Sequence, residues 1–265
     1  MAALFLGAAG AVAPAYSWEM RVCADPNYMP FSKQDLSGYD NKIAQILADE
    51  LGAELTFVWF PQTPNMISDQ LREGNCDMIL GVPESNEGLL PTIAYYRSPY
   101  TFVYRADSGY DISSFDDEVL KTLKFGVQVR GDSPHGALAK RGLAKNVVSQ
   151  AITRDEANAS GPFSSLIEQV ASGDIDVAIP WGPVGGYYAS QQKIPLKVVS
   201  TPEFELPFTP MYITVVIAVR QGDDSLRDRL DIAIANRWDD INAVLKDYGV
   251  PTLDLPQPTV TIGGQ

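Results

Sequence analysis

The 265-residue sequence has a single histidine, His135, and only two cysteines, Cys23 and Cys76. So few soft donors cannot assemble the four-ligand set of a structural zinc. Basic residues are also scarce: 20 lysines and arginines stand against 33 acidic residues, a net charge of −13. A surface of that sign repels phosphate backbones and anionic lipid heads, so neither nucleic acid nor membrane is an expected partner. It favours cationic partners, although acidity also serves plain solubility. The apolar stretch at residues 1–15, MAALFLGAAGAVAPA, falls short of the ~20 residues needed to span a bilayer. "GDSPHG" is not the Gly-x-Ser-x-Gly elbow of a serine hydrolase. Nothing places oxygen ligands at alternate positions around a central glycine, as a calcium loop requires. The expectation is a protein without catalytic residues, resident metal or cofactor.

What the first fifteen residues do carry is the pattern of an export signal. They are uncharged, rich in Ala, Leu and Gly, and end in Ala13-Pro14-Ala15, an A-x-A site for cleavage before Tyr16. A basic n-region is missing, and the competing reading is an unstructured tail. In an exported protein an even pair of cysteines suggests one disulfide. Bridging Cys23 and Cys76 would close a loop of about 53 residues, worth about 4 kcal/mol in the chain-entropy model. Two buried thiols on neighbouring strands are the alternative.

The pattern along the chain is strand, helix, strand, helix, strand, and then the same again. Met20–Ala24 reads as a short apolar strand. Ile43, Ile46, Leu47 and Leu51 recur at helical spacing, with Gly52 as the stop. Glu54–Phe60 is a strand, Met66–Gly74 a short helix with Pro64 near its start, and Asp77–Val82 an uninterrupted apolar strand suited to a sheet covered on both faces. The second unit has a strand at Phe125–Val129, the turn RGDSPHG, a helix through Leu138 and Leu143, and a strand at Val147–Ile152. A helix follows with Phe163, Leu166, Ile167 and Val170 on one face, Pro162 at its start and Gly173 at its stop. A buried strand at Ile175–Pro180 and a helix at Pro183–Gln191 complete it. Two βαβ-rich units in series predict two α/β lobes with parallel sheets. The β-rich stretches Tyr100–Arg105 and Tyr212–Arg220 flank the second unit and are expected to be the crossings. The organisation expected is then residues 16–104 and 212–251 for one lobe, 105–211 for the other, and an extended tail at 252–265. Such a clamp offers a cleft as its natural site.

From Arg21 to about Pro251 this order resembles the type II, amino-acid-type periplasmic solute-binding proteins. "CADPNYMPFS" is similar to their first strand and aromatic-Pro-Phe loop, "LREGNCDMILGV" to their helix, Gly turn and Asp-led strand, and "YYRSPY" to the segment before the hinge. "FGVQVRGD" resembles the opening of their second lobe and "VASGDIDVAIPWGPVGGYYA" its last strand and helix. Each pattern alone is weak; their order over some 230 residues is what identifies the fold. The resemblance implies that an Arg a few residues after the "GV" strand would hold a ligand carboxylate, since a guanidinium donates two parallel hydrogen bonds. Here that segment is PESNEGLLPT, with Glu84 and Glu87 and no base. The family's ammonium-binding Asp, five residues after the "DA" of the late strand, is replaced by Trp181. With both anchors gone, free amino acids are not the expected ligands.

A narrower resemblance fills the gap. "RVCADPNYMPFS", "GNCDMILGVP", "YYRSPYTFVYRAD" and "VAIPWGPVGGYYA" are similar to the MxaJ/XoxJ-like solute-binding-type accessory proteins encoded beside bacterial quinoprotein alcohol dehydrogenases. That likeness implies a periplasmic, non-catalytic, monomeric protein that supports assembly, maturation or activation of a PQQ-dependent methanol dehydrogenase by docking to it. The alternative is a substrate-binding protein of an ABC transporter for an uncharged or apolar small solute. For either role the fold would gather the site from loops after the strands: Tyr28 and Phe31, Trp59 with Phe60, Pro83 and Glu84, Arg130 and Asp132, and Trp181 and Pro183. Phe31, Trp59 and Phe60 read equally well as core or inter-lobe packing. An acid–base enzyme on this fold would need a carboxylate opposite Glu84, and Asp132 is the one candidate.

Overall fold

The computed structural model describes residues 18–61, 66–150 and 163–259. The export segment at 1–15, Pro64, Ile152 and Pro162 lie outside the described residues. In chain order the first lobe begins with β1 (Trp18–Ala24), the two-residue pair β2 (Asn27–Tyr28) and β3 (Ser32–Lys33), α1 (Tyr39–Leu51), β4 (Ala53–Trp59), α2 (Met66–Arg72), β5 (Met78–Pro83), β6 (Leu90–Pro91) and β7 (Tyr96–Pro99). Then come β8 (Thr101–Arg105), β9 (Phe125–Val127), α3 (Ser133–Lys140), β10 (Val147–Gln150), α4 (Ser164–Ser172), β11 (Val177–Ile179), α5 (Gly182–Ser190) and β12 (Leu196–Ser200). A hairpin of β13 (Phe204–Glu205) and β14 (Thr209–Pro210) leads into β15 (Tyr212–Val219), α6 (Asp224–Asn236) and α7 (Trp238–Asp247).

Two of the helices stop where glycine permits it. Gly52 and Gly173 close α1 and α4 at φ 62° and 85°, where a side chain would be strained, and their N–H groups return to the preceding turn. The sequence RGDSPHG, expected to be a turn, instead opens α3. Asp132 accepts from the His135 N–H as its N-cap, and Pro134 sits in the first turn, where a missing N–H costs nothing.

Two sheets result. The first has the order β4-β1-β5-β15-β6, with β7 also on β15; β4, β1 and β5 run parallel and β15 antiparallel. The second has the order β10-β9-β11-β8-β12, with β10, β9 and β11 parallel. The two α/β lobes expected from the sequence are therefore present, but the first crossing differs from the expectation. Thr101–Arg105 is not a connector, and its residues 101–104 do not belong with the first lobe as expected: it is an inner strand of the second sheet, between β11 and β12. The chain crosses at Tyr100, one residue wide, which bridges to Trp181. Apolar β-rich sequence specifies a strand without saying which sheet it joins.

Cys23, in β1, and Cys76, just before β5, form a disulfide with Cα atoms 5.5 Å apart, so the alternative of two free thiols is set aside. Beside it, the Arg21 guanidinium holds both oxygens of Asp77 at 3.1 and 2.7 Å, and the Asp77 backbone and side chain together tie β1 to the entry of β5. Burial pushes the Asp77 carboxyl up, but the hydrogen bonds from Arg21 outweigh it and the net pKa is lowered.

The lobes do not pack separately. One apolar cluster runs from Met20, Ile43, Leu47 and Val215 of the first lobe into Phe163, Leu166, Trp181, Val184 and Tyr188 of the second. Each sheet has its own smaller cluster on the far face, around Phe102 and Phe125 in one lobe and around Leu71 and the disulfide in the other. At the join, α5 abuts the first lobe nearly backbone to backbone: a Cβ on Gly182 would run into Ser98 Oγ, and one on Gly186 into the Gly249 carbonyl oxygen. Among the described residues no helix is long and apolar enough to cross a membrane.

Candidate functional site

The cleft between the lobes is narrow and partly filled by the protein's own rings. Trp181 follows β11 and enters α5 as its N-cap; Pro183 in the next turn fixes that entry. The indole stacks on Phe31 at 5.6 Å between centroids and 14° between planes, and on Tyr96 at 6.2 Å. Its Nε1–H donates to the Ser98 carbonyl at 3.0 Å, and its backbone N–H donates to Gln128 Oε1. Phe163, from the start of α4, meets Tyr28 edge-on at 5.4 Å and Phe31 at 6.4 Å. Tyr188 Oη donates across the join to the Met29 carbonyl, and Tyr187 stacks on Tyr248, the residue that follows α7. Each ring pair adds about 0.5–1.5 kcal/mol beyond its area. Trp181 is consequently only 7% exposed.

Behind this wall lies a cavity of about 350 Å³. Its floor is the first-lobe sheet, with Val22, Ile79, Leu80 and Val82; its rim carries Tyr28, Phe31, Phe57 and Trp181. The polar groups on it are Asp25, Ser32, Asp40, Asn41, Asn86 and Gln128, and among the described residues no lysine, arginine or histidine lines it. Asp40 and Asn41 stand in the first turn of α1. Asn41 Oδ1 accepts from the backbone N–H groups of Lys33 and Gly38, tying β3 to the helix. Burial pushes the Asp40 carboxyl up to about 8, although the Tyr95 hydroxyl, hydrogen-bonded to it, pulls the other way. Tyr95 in turn accepts from the Gly81 N–H at 3.0 Å.

Of the residues expected at the site, Tyr28, Phe31, Pro83 and Trp181 line the cavity, as does Cys23 of the disulfide. Phe31 and Trp181 do so as packing between the lobes rather than as an open mouth. Trp59 does not reach it. Phe57 lines the cavity, and Trp59, two residues on and therefore on the same face of β4, stacks on that ring at 5.1 Å without lining it. Phe60 packs instead near the disulfide. Arg130 is exposed and donates to the Val147 carbonyl within its own lobe. Asp132 spends both oxygens on the His135 and Val129 N–H groups as the cap of α3. Glu84 is exposed and Pro183 is buried inside α5; none of these four lines the cavity. Glu84 and Asp132 are thus not gathered on its wall as an acid–base pair. Among the described residues no group of three or more His, Cys, Asp or Glu side chains is arranged to hold a metal.

Asp25, Asp40, Asn41, Phe57 and Gln128 are site residues the sequence reading missed. An acid in the first turn of a helix is ordinary, because it faces the positive end of the dipole and usually water. Only the close approach of Gly81, which has φ 72° and whose added Cβ would sit 3.0 Å from Asp40 Oδ2, shows that this one is enclosed.

A second feature faces outward. The β13–β14 hairpin presents Phe204, Leu206 and Phe208 at 53%, 80% and 85% exposure. It is braced from below: Glu205 accepts from Arg141 at 2.8 Å, Arg141 is held in a fork by Asp116, and Lys140 Nζ donates to the Leu206 carbonyl at 2.7 Å. Phe204 meets Tyr212 edge-on at 5.6 Å, with Arg97 over the Tyr212 ring.

Comparison with known proteins adds a family. The model of the bacterial extracellular solute-binding proteins, family 3, matches residues 20–249. The protein MoxJ of Paracoccus denitrificans is 30% identical over 249 residues, which cover 88% of this chain and 89% of that protein. The crystal structure of MxaJ from Methlophaga aminisulfidivorans superposes with a TM-score of 0.79 at 28% identity, over 88% of this chain and all of that one. The crystal structure of the periplasmic binding protein XoxJ from Methylobacterium extorquens AM1 gives 0.73 at 33% identity, over 89% of this chain and 100% of that one.

Proposed function

The chain belongs to the bacterial extracellular solute-binding proteins of family 3, and within that family we propose that it is a non-catalytic periplasmic accessory protein that docks to a PQQ-dependent methanol dehydrogenase during its assembly, maturation or activation. The likeness to MoxJ, MxaJ and XoxJ over nearly the whole chain supports the choice of partner. The absence of a cationic carboxylate anchor among the described residues of the cavity speaks against an amino-acid carrier.

The observation that carries docking is the hairpin. Three apolar side chains held out on a braced turn cost solvation unless something covers them. Two copies of a chain at −13 repel one another, so a second copy is a poor occupant. The complement is an apolar pocket with a cationic rim, and the dehydrogenase surface is proposed to supply it. The Trp181 region of the cleft, by contrast, is already occupied by inter-lobe packing.

Binding of purified methanol dehydrogenase to the immobilised protein tests this. The Leu206→Ser/Phe208→Ser variant is expected to bind at least tenfold more weakly, as loss of two central apolar contacts at ~1 kcal/mol or more each implies, while Trp59→Ala changes little. No binding by the unaltered protein sinks the docking role; binding that ignores the hairpin moves the interface elsewhere. The inter-lobe cavity favours a second reading, a transporter's binding protein for a small solute. A specific metabolite that raises thermal stability without any dehydrogenase binding would bring it forward.

A further inference from the structure

The cavity wall is unbalanced in charge. Asp25 and Asp40 both stand on it, and among the described residues no cation does. Asp40 is 9% and Asn41 3% exposed. Asp40 Oδ1 and Asn41 Nδ2 are shut off from solvent and have no hydrogen-bond partner among the described residues. A buried carboxylate is ordinarily paired with a cation or a metal, and leaving it alone costs several kcal/mol. The groups packed about Asp40 offer no counter-charge. They are the phenols of Tyr39, Tyr95 and Tyr96, whose own pKa values burial pushes well above the ordinary value, so they stay neutral.

We propose that this cavity receives an alkylammonium group, which pairs with Asp40 while its methylenes lie against the rings of Tyr28, Phe31 and Phe57. Aromatic faces attract an ammonium as well as its alkyl chain. Asn41 Nδ2 provides one donor for an oxygen beside the ammonium, either the hydroxyl of an amino alcohol or a water carried in with it. The missing anion clamp means that the ligand carries no carboxylate. The same chemistry has two sources, a free small amine or a lysine side chain of a docked protein, and the inference stands independently of the docking reading.

In the empty cavity the proton on Asp40, whose carboxyl is pushed up to about 8 by burial, does the neutralising. An ammonium must displace it, so binding at pH 7 releases close to one proton, and affinity rises from pH 7 to 9 while the amine, with a pKa of about 10.4, stays charged. Calorimetric titration with n-butylamine, in two buffers of different ionisation enthalpy, reads that proton without any variant. n-Butanol serves as the uncharged control. The expected result is amine binding with proton release, at least tenfold weaker binding of the alcohol, and at least tenfold loss of amine affinity in Asp40→Asn. Butanol binding as tightly as butylamine, or amine binding without proton release, overturns the inference, as does no binding by either. Adding n-butylamine to a preformed complex with the dehydrogenase separates the sources: weakened docking identifies a lysine, unchanged docking a free amine. Failure of the dehydrogenase to bind leaves the free-amine titration fully readable.

Discussion

Asp40 shows how much one side chain can carry that composition conceals. Its folded-state pKa of about 8 exceeds the ordinary 3.8 because burial penalises the charge. Between those values the folded chain holds a proton the unfolded chain has lost. Its contribution is therefore fully present below about pH 4 and is lost as pH rises through about 8. Urea unfolding is expected to give a larger free energy at pH 5 than at pH 8 in the unaltered protein, and a smaller difference in Asp40→Asn, which keeps a neutral group of the same shape. An equal difference in both contradicts this assignment. The residue was not legible in the sequence, since "GYDN" at a helix start reads as a solvated acid. Trp181 was legible as a cleft residue, because five positions after Asp176 is a place the fold defines. That its ring would close the lobes on each other was not, as stacking on Phe31 joins side chains 150 positions apart.

At the level of elements, the apolar strands and the glycine-stopped α1 and α4 were readable from periodicity, and most bounds moved by only a residue or two, although α3 ends at Lys140 and leaves Leu143, expected on that helix, outside it. Two elements resisted. RGDSPHG looks like a turn because its residues suit turns, yet the same Asp and Pro suit a helix start, and Asp132 capping decides between them. Thr101–Arg105 looks like a crossing because pairing partners far along the chain, at Leu196–Ser200, are invisible locally. The Cys23–Cys76 bridge staples β1 to the approach of β5 across 53 positions. Its reduction is expected to lower the unfolding free energy by about 4 kcal/mol, measured by denaturant titration with and without reductant. A loss below about 1 kcal/mol would mean that the Arg21–Asp77 fork already holds the two strands together.

For the whole molecule, the two-lobe architecture could be foreseen, and the shared core could not. Binding-protein lobes were expected to move as a clamp; here α5 lies so close to the first lobe that a methyl group has no room at Gly186. Gly186→Ala is expected to cost about 1–3 kcal/mol, the usual range for overpacking. It should also enlarge the radius of gyration measured by small-angle scattering, because relief requires the lobes to part. Unchanged size and stability would show that the join yields without opening.

The stacked Trp181 also sets a clock. A guest that enters the cavity between the lobes must wait for the indole to leave Phe31 and for the Tyr188–Met29 bond to break, and must wait for the same event to leave by that route. Arrival and departure are then both governed by how often the molecule opens rather than by how often the ligand collides with it. A guest of modest affinity would still dwell long once inside, so that occupancy would record past exposure more than present concentration.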